Sequence, residues 1–592
     1  MYDLGLDSSL CSTIVVSSVV ALAITGLMMK TNGTRQKKLK TLAEEVVTSV
    51  RAENQSVLDE KPDQDIEKDL YTAAETRNLI DSQKLNPSDN VLKLAKRCRK
   101  YGRDTSKVNA ITHELYDQAY KTVKGLDFKT KTKSPLFGIP ISIKESSTMQ
   151  GTFATCGLAC RLQKRIQKDS LIVKTIRQTG AIPMCLGNVP QLLMSMETSN
   201  RVWGTTKNPW DLSRTPGGST GGDAALVAMR CVPLALGSDV AGSLRIPAAF
   251  CGIVGFKTSD KRLTNKGQVR QKKNNRNGLV VVIPPTAGGL AGTVEDCAMF
   301  IKSLLVQDMF KADTSITPLP FNDMAYEAKG KLKIGYYITD HFLDPCAAAK
   351  RGVRETITAL EKAGHECVQI ELPFDGWVAQ RLLLGLNAAE GNMRSFIEGL
   401  EGEEICDQYK FLYKIANLPN PIRFLAKKVI DERRSWLLAC TRSGGISAAT
   451  LWEFTQDLLT YRDKWNDYVV ENGFDAIISP AMPIPAVPHG LSEKLTSTAG
   501  YMFVANLLLW PCGAVPVTVV KEDEEHYRPG DLPANQRDAF MKEIQKVMKQ
   551  SAGMPLGVNV MTPKHQDEKC LRVMKEVERV VGFNYEPTAY KA

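Results

Sequence analysis

Along most of the chain, apolar residues come in short runs of strand length set between stretches of helical periodicity. The runs FGIPISI (137–143), AIPMCLG (181–187), KLKIGYYI (331–338), DAIISP (475–480) and AVPVTVV (514–520) recur in this way. That alternation, from about residue 101 to 585, predicts one α/β domain built on a single sheet. Residues 30–100 are instead highly charged, with helical patches such as LKTLAEEVVTSV (39–50), and read as a lead-in packed on the domain surface. At the start of the chain, the 22 residues 8–29 between Asp7 and Lys30 carry no charge. About 20 such residues cross a bilayer as a helix. Lys30, Arg35, Lys37, Lys38 and Lys40 follow the segment, while Asp3 and Asp7 precede it. It is therefore expected to be a retained transmembrane helix, with the rest of the chain facing the cytoplasm. A cleaved signal peptide would need a basic n-region, which is missing.

One strand pattern carries a candidate for chemistry. In PLFGIPISIKES (135–146), Phe137, Ile139, Ile141 and Ile143 take the odd positions, and Ser142 and Lys144 the even ones. Alternation sends the two sets to opposite faces. Lys144 is then either buried, where low dielectric favours its neutral, basic form, or a strand-end lysine reaching out to water.

Two glycine- and serine-rich turns follow. TPGGSTGGDAAL (215–226) resembles a phosphate loop, but Asp223 stands where a Walker loop needs lysine. The stretch Gly217 to Gly221 also fits G-x-S-x-G, the nucleophile elbow of hydrolases that use histidine. That elbow follows a buried strand, whereas KNPWDLSRTP precedes this one. The downstream histidines His489, His526 and His565 lie in polar or proline-rich surroundings. Ser219 thus needs a base other than histidine. The second turn, LGSDVAGSLR (236–245), places Ser243 after Val240, Ala241 and Gly242. Consecutive backbone N–H groups in such a turn can form an anion nest, as acyl transfer requires for its oxyanion.

Composition narrows the alternatives. The net charge of +11 is patchy, and no zinc-finger, helix-turn-helix or RNA-binding signature accompanies it, so nucleic acid is not expected as a partner. The stretch RQKKNNRNG (270–278) reads as a basic surface loop. Fourteen cysteines include no CxxC pair, which favours reduced thiols over a zinc site or a disulfide framework. Cys156 and Cys160 have the spacing of neighbours on a helix.

A strand-end lysine, then GGSTGG, then GSDVAGS with its serine 24 residues after Ser219, resembles the amidase-signature family across nearly all of residues 100–580. The resemblance implies one large, mixed, twisted β-sheet surrounded by helices, behind the N-terminal transmembrane helix. It implies a Ser-Ser-Lys triad in which Lys144 is the base, Ser219 the bridging serine and Ser243 the nucleophile, with a cis peptide before Ser219. The oxyanion hole would be the amides of Val240, Ala241, Gly242 and Ser243. Leu193, in NVPQLLMSM (188–196), and Ser219 would touch substrate. No metal or other cofactor is implied, and a homodimer is compatible with the family. The chain departs from the family's usual residues at Val240 and Ala241, at Thr220 in place of serine, and in GGLAGTVED (288–296), which lacks a common arginine. Alanine constrains φ, so the departure at Ala241 puts the oxyanion geometry in question.

The stretch 409–440 adds a membrane reading. Two short helical segments flank Pro419 and Pro421, with Phe411, Leu412, Ile415, Phe424, Leu425 and Trp436 among their apolar residues. Seven Lys/Arg against two acids among these large apolar groups suit an interfacial helix pair, and suit a core-packing pair equally. Its position resembles a membrane-binding cap of relatives acting on lipids. The expected function is that of a membrane-bound serine hydrolase cleaving fatty acid amides, such as N-acylethanolamines and primary amides, on the endoplasmic reticulum or another endomembrane. An acylglycerol esterase on the same scaffold and a catalytically impaired lipid-binding protein are the alternatives.

Overall fold

The structure is a computed structural model that describes residues 33–54, 56–59, 65–103, 106–128, 134–269, 282–426, 444–527 and 539–587. The expected transmembrane segment 8–29, the basic stretch 270–278 and Trp436 lie outside them. Among the described residues, no helix is long and apolar enough to cross a membrane.

Eleven strands of the described residues form one sheet. From one edge it runs Ile111–Glu114 (β1), Ile182–Gly187 (β3), Pro140–Lys144 (β2), Leu234–Asp239 (β6), Thr286–Ala291 (β8) and Val254–Lys257 (β7). It continues through Cys512–Val519 (β12), Pro555–Met561 (β13), Ala476–Pro480 (β11), Lys333–Tyr336 (β9) and Glu366–Gln369 (β10). Ser199–Asn200 (β4) and Gly204–Thr205 (β5) form a separate small ribbon. β2 runs parallel to both β3 and β6, while β6–β8–β7–β12–β13–β11 is antiparallel throughout, so the sheet is mixed.

This arrangement puts β2 well inside the sheet, and all five of its residues are buried. Its odd-numbered isoleucines behave as alternation predicts. Ile139, Ile141 and Ile143 enter a core with Ile172, Val173 and Ile176 of the helix Leu171–Gln178. A helix over 33–52 belongs to the lead-in. Its Ala43 and Val50 are buried against Phe153, Ala159, Leu162 and Trp203 of the main domain.

The structure differs from expectation at the paired cysteines. Cys156 sits in a turn with φ +48, and Cys160 lies on a separate 3-10 helix, Ala159–Gln163. The turn arises because buried Glu145 captures the amides of Thr155 and Cys156, at 2.5 and 2.9 Å, and so holds the backbone away from helical geometry.

Candidate active site

Three segments meet at one end of β2. Lys144 closes the strand, the loop around Ser219 leads into the helix Gly221–Ala228 (α1), and β6 ends at Asp239 just before the turn to Ser243. α1 packs against β2, β3 and β6 because small residues, Gly221, Gly222, Ala224 and Ala225, form its buried start. At Gly222 a Cβ would lie 2.1 Å from the Asn188 amide nitrogen, so only glycine permits this approach.

Lys144 does not reach water. Its side chain is 1% exposed, and its Nζ donates to Ser219 Oγ at 2.8 Å, to Ser238 Oγ at 3.1 Å and to the Ser238 carbonyl at 3.3 Å. Burial lowers its pKa to about 8, against the opposing pull of Asp223, Asp239 and Cys156. A lysine so placed becomes neutral only a little above physiological pH, far below where a solvated one would. The peptide bond Gly218–Ser219 is cis. Ser219 itself is buried, and the Ser243 carbonyl accepts the Thr220 amide at 3.1 Å, which ties the two serine loops together. The Thr220 hydroxyl donates to the Ser238 carbonyl at 3.5 Å, so threonine fills the serine position with its hydroxyl on the same carbonyl as Lys144. Among the described residues, the Ser243 hydroxyl makes no hydrogen bond, to Ser219 or to any other group. Ser243 is partly exposed.

The turn 240–243 is organised by an acid that the sequence reading did not single out. Asp239 is fully buried, and its carboxylate accepts the amides of Gly242 at 2.8 Å and Leu244 at 3.1 Å. The Gly242 amide is therefore engaged within the turn. Among the described residues the amides of Val240, Ala241 and Ser243 find no acceptor, and these three remain available to an oxyanion. Gly242 alone in the turn has a positive φ, +105, so Ala241 and Val240 adopt ordinary backbone and a Cβ on Ala241 adds no strain.

Arg245 completes this base plate. It is fully buried on the helix Arg245–Cys251 and bonds Asp239 through Nε and Nη2, both at 3.1 Å, and Asn506 at 2.6 Å. Burial opposes the charge on Asp239, yet Arg245 holds that carboxyl well below the usual carboxylate range. The signal for the pair was present in SDVAGSLR as an acid and a base bracketing the serine, six residues apart. Ser238 had a weaker one, as the neighbour of that acid.

Leu193 lies on the short 3-10 turn Gln191–Leu193, just ahead of the loop that meets Gly218. It follows Leu192 in a turn where both have left-handed backbone, φ +53 and +64, a conformation that branched side chains rarely adopt. The next loop passes over the site, and the Ser195 carbonyl lies so near Gly218 that a Cβ there would meet it at 2.5 Å. The Leu192–Leu193 turn is bolted to the helix Asp407–Ala416 (α2): Gln191 accepts the Cys406 amide at 3.0 Å, and the Tyr409 hydroxyl donates to the Gln191 carbonyl at 2.5 Å. A second helix, Asn420–Ala426 (α3), carries Phe424 and Leu425. On these helices Phe411, Leu412 and Ile415 are half-buried, whereas Ile422 and Leu425 are 51% and 63% exposed. His489 pairs with Glu197, Nδ1 to Oε1 at 3.0 Å, and among the described residues hydrogen-bonds to neither serine.

Known proteins match this description. The chain is 34% identical over 463 residues, 76% of its own length and 77% of the relative's, to fatty-acid amide hydrolase 1 of Sus scrofa. It is 30% identical over 486 residues, covering 79% of this chain and 82% of the relative, to an acetamidase of Emericella nidulans. The structure of a fatty acid amide hydrolase superposes with a TM-score of 0.75 at 21% identity, over 91% of this chain and 90% of that one. The sequence profile of the amidase family spans residues 93–571, from ahead of β1 to the C-terminal helix Asp567–Val581. With its mixed sheet and its two serine loops beside a strand-end lysine, this protein belongs to the amidase family, the hydrolases of the amidase signature.

Proposed function

We propose that this amidase-family hydrolase cleaves long-chain fatty acid amides through a Ser243–Ser219–Lys144 triad. The observation that carries the reading is the buried 2.8 Å bond from Lys144 to Ser219, next to a partly exposed Ser243 whose turn holds three unengaged amides. Neutral Lys144 takes the Ser219 proton as Ser219 takes that of Ser243, and Ser243 Oγ attacks the acyl carbon. The amides of Val240, Ala241 and Ser243 receive the developing oxyanion. The proton on Lys144 returns through Ser219 to the amine as the C–N bond breaks, leaving an acyl-enzyme that water then hydrolyses with the same relay. The Ser219–Ser243 contact forms with substrate, since catalytic hydrogen bonds often tighten only in the complex.

Three features support a lipid amide. The pig relative is named for fatty-acid amides. Residues 8–29 have the length and apolarity of an anchor. Ile422 and Leu425 expose apolar surface on a helix linked, through α2 and Gln191, to the turn beside the serine loops. The protein is thus an anchored enzyme with its catalytic domain on the cytoplasmic side and its helical cap on the bilayer. The same acyl pocket would accept esters, and hydrolysis of oleamide against a monoacylglycerol by the purified protein separates the two. Turnover of short amides alone, with neither lipid cleaved, would refute the lipid assignment.

A further inference from the structure

A second buried acid stands beside the lysine. On the face of β2 that carries Lys144, the Ser142 hydroxyl donates to Asp223 Oδ1 at 2.5 Å. Asp223 lies in the first turn of α1 and is fully buried. Among the described residues its other oxygen, Oδ2, has no hydrogen-bond partner. A buried carboxylate with one bare oxygen is costly unless it takes up a proton or answers a nearby positive charge. The packing leaves it no way out. Gly187 of β3, the register partner of Lys144 on β2, lies directly beneath, where a Cβ would meet the carboxylate oxygens at 2.3 and 2.4 Å, so the acid sits beside the lysine. The glycine is needed there because the acid fills the space.

The charges that face Lys144 come from three elements. They are Asp223 on α1, Asp239 at the end of β6 and Cys156 in the turn after β2, and Asp223 is the strongest of them. Glu145, next along the strand, turns away to the amides of Thr155 and Cys156 and acts on Asp223 by repulsion. Asp239 is already committed to Arg245. Of the two carboxylates that act on Lys144, Asp223 is thus the one with no cation among its hydrogen-bond partners in the described residues.

We propose that Asp223, clamped by Ser142 behind the triad, is a positioning residue that governs the charge state of Lys144 and so sets the pH range of acyl transfer. The inference rests on the triad reading, in which Lys144 must be neutral to act. An ionised Asp223 stabilises the lysine ammonium through low dielectric and holds the base in its inactive form. A protonated Asp223 releases it. Burial pushes Asp223 up to about 7 and Lys144 down to about 8, so both change charge near neutrality and titrate as a coupled pair. Removing the acid therefore lets Lys144 become neutral at lower pH, and the rising limb of the rate profile moves to the acid side.

The test uses the full-length protein in detergent, with a fatty-acyl p-nitroanilide and a fluorophosphonate probe, across pH. Wild type is compared with Asp223→Asn, Ser142→Ala and Lys144→Ala. Asp223→Asn preserves shape, and is expected to shift the limb of both kcat/KM and labelling rate by about one pH unit to the acid side. On that limb this is about a tenfold gain relative to each enzyme's own plateau. Ser142→Ala, which strips the carboxylate of its donor and so favours protonated Asp223, shifts the limb the same way by less. Should Asp223→Asn fail to fold, Ser142→Ala decides. Profiles that superimpose on wild type, or move to the alkaline side, while Lys144→Ala is inactive overturn the role of Asp223. Wild-type activity and pH profile in Lys144→Ala would instead refute the triad, and this inference with it.

Discussion

Lys144 donates a 2.8 Å hydrogen bond to Ser219, 75 residues away in sequence, from a position with almost no access to water. Desolvation is what makes the pair chemically useful, because it lowers the lysine to about 8 where a solvated one stays near 10.5. Between those two values only the folded protein presents a neutral amine at this point.

The activity of the wild-type protein should therefore rise with pH through an apparent value of about 8, since the active form of Lys144 lies on the alkaline side. Lys144→Ala should lose this limb and about 10² to 10⁴ in rate. Amides should suffer more than esters, because an amine must be protonated as it leaves. Rates on a matched amide and ester across pH check both points, and an unchanged amide-to-ester ratio in the mutant would count against the relay.

Ser243→Ala should abolish hydrolysis and fluorophosphonate labelling while leaving the thermal transition near that of wild type, for it removes one partly exposed oxygen. Labelling that persists, or that mass spectrometry locates on Ser219, would reverse the assigned roles.

The turn before Ser243 should tolerate change unevenly. Ala241→Gly should keep most of the activity, since Ala241 already has ordinary φ. Gly242→Ala should lose most of it: φ is +105, and the new Cβ would lie 2.8 Å from Ile246 Cδ1 and 2.9 Å from Met502 Cβ. Comparing kcat/KM of the two variants reads the difference, and equal losses would contradict it.

Arg245→Met should destabilise the protein by about 3–5 kcal/mol, the usual consequence of stranding a buried carboxylate, here Asp239. In wild type the pair holds Asp239 below the carboxylate range, so its contribution is complete above about pH 4 and is lost progressively as pH falls from there through the native value. Urea unfolding at pH 7 measures the loss. A change within about 0.5 kcal/mol would mean that water reaches Asp239 in the mutant.

Ile422→Glu combined with Leu425→Glu should weaken binding of a protein lacking residues 1–30 to phospholipid vesicles, with hydrolysis of a short, soluble ester unchanged. Both side chains are more than half exposed and point to no core. Co-sedimentation with vesicles gives the answer, and undiminished binding would remove α3 from the membrane surface.

Much of this protein was written locally. Apolar runs marked β2, β3, β9, β11 and β12, and alternation alone put Ser142 and Lys144 on the face opposite the isoleucines, because side-chain period in a strand is fixed at two. The order of lysine and serine loops was enough to identify the family. Pro419 marked the break between α2 and α3, whereas Pro421 falls in the first turn of α3, where a missing N–H costs nothing. β6, β7, β8 and β13 were harder to see, since runs such as LALGSD and TAGGLA hold too many glycines and small residues to read as strands; their pairing with neighbours on both sides makes them so.

What tertiary structure alone decided is the electrical state of the site. No pattern in the sequence told a buried Lys144 from one reaching solvent, because burial depends on β3, β6 and α1 closing around the strand. Nor could it assign partners to three acids of similar local appearance. Folding gives Asp239 an arginine and the turn amides, turns Glu145 away onto the Thr155 loop, and leaves Asp223 facing Lys144 with one oxygen bare. Charge interactions weaken with distance and strengthen with desolvation. Around Lys144 the segments that set both, those of Ser219 and Asp223, lie 75 or more residues along from the strand, and only the folded chain brings them together.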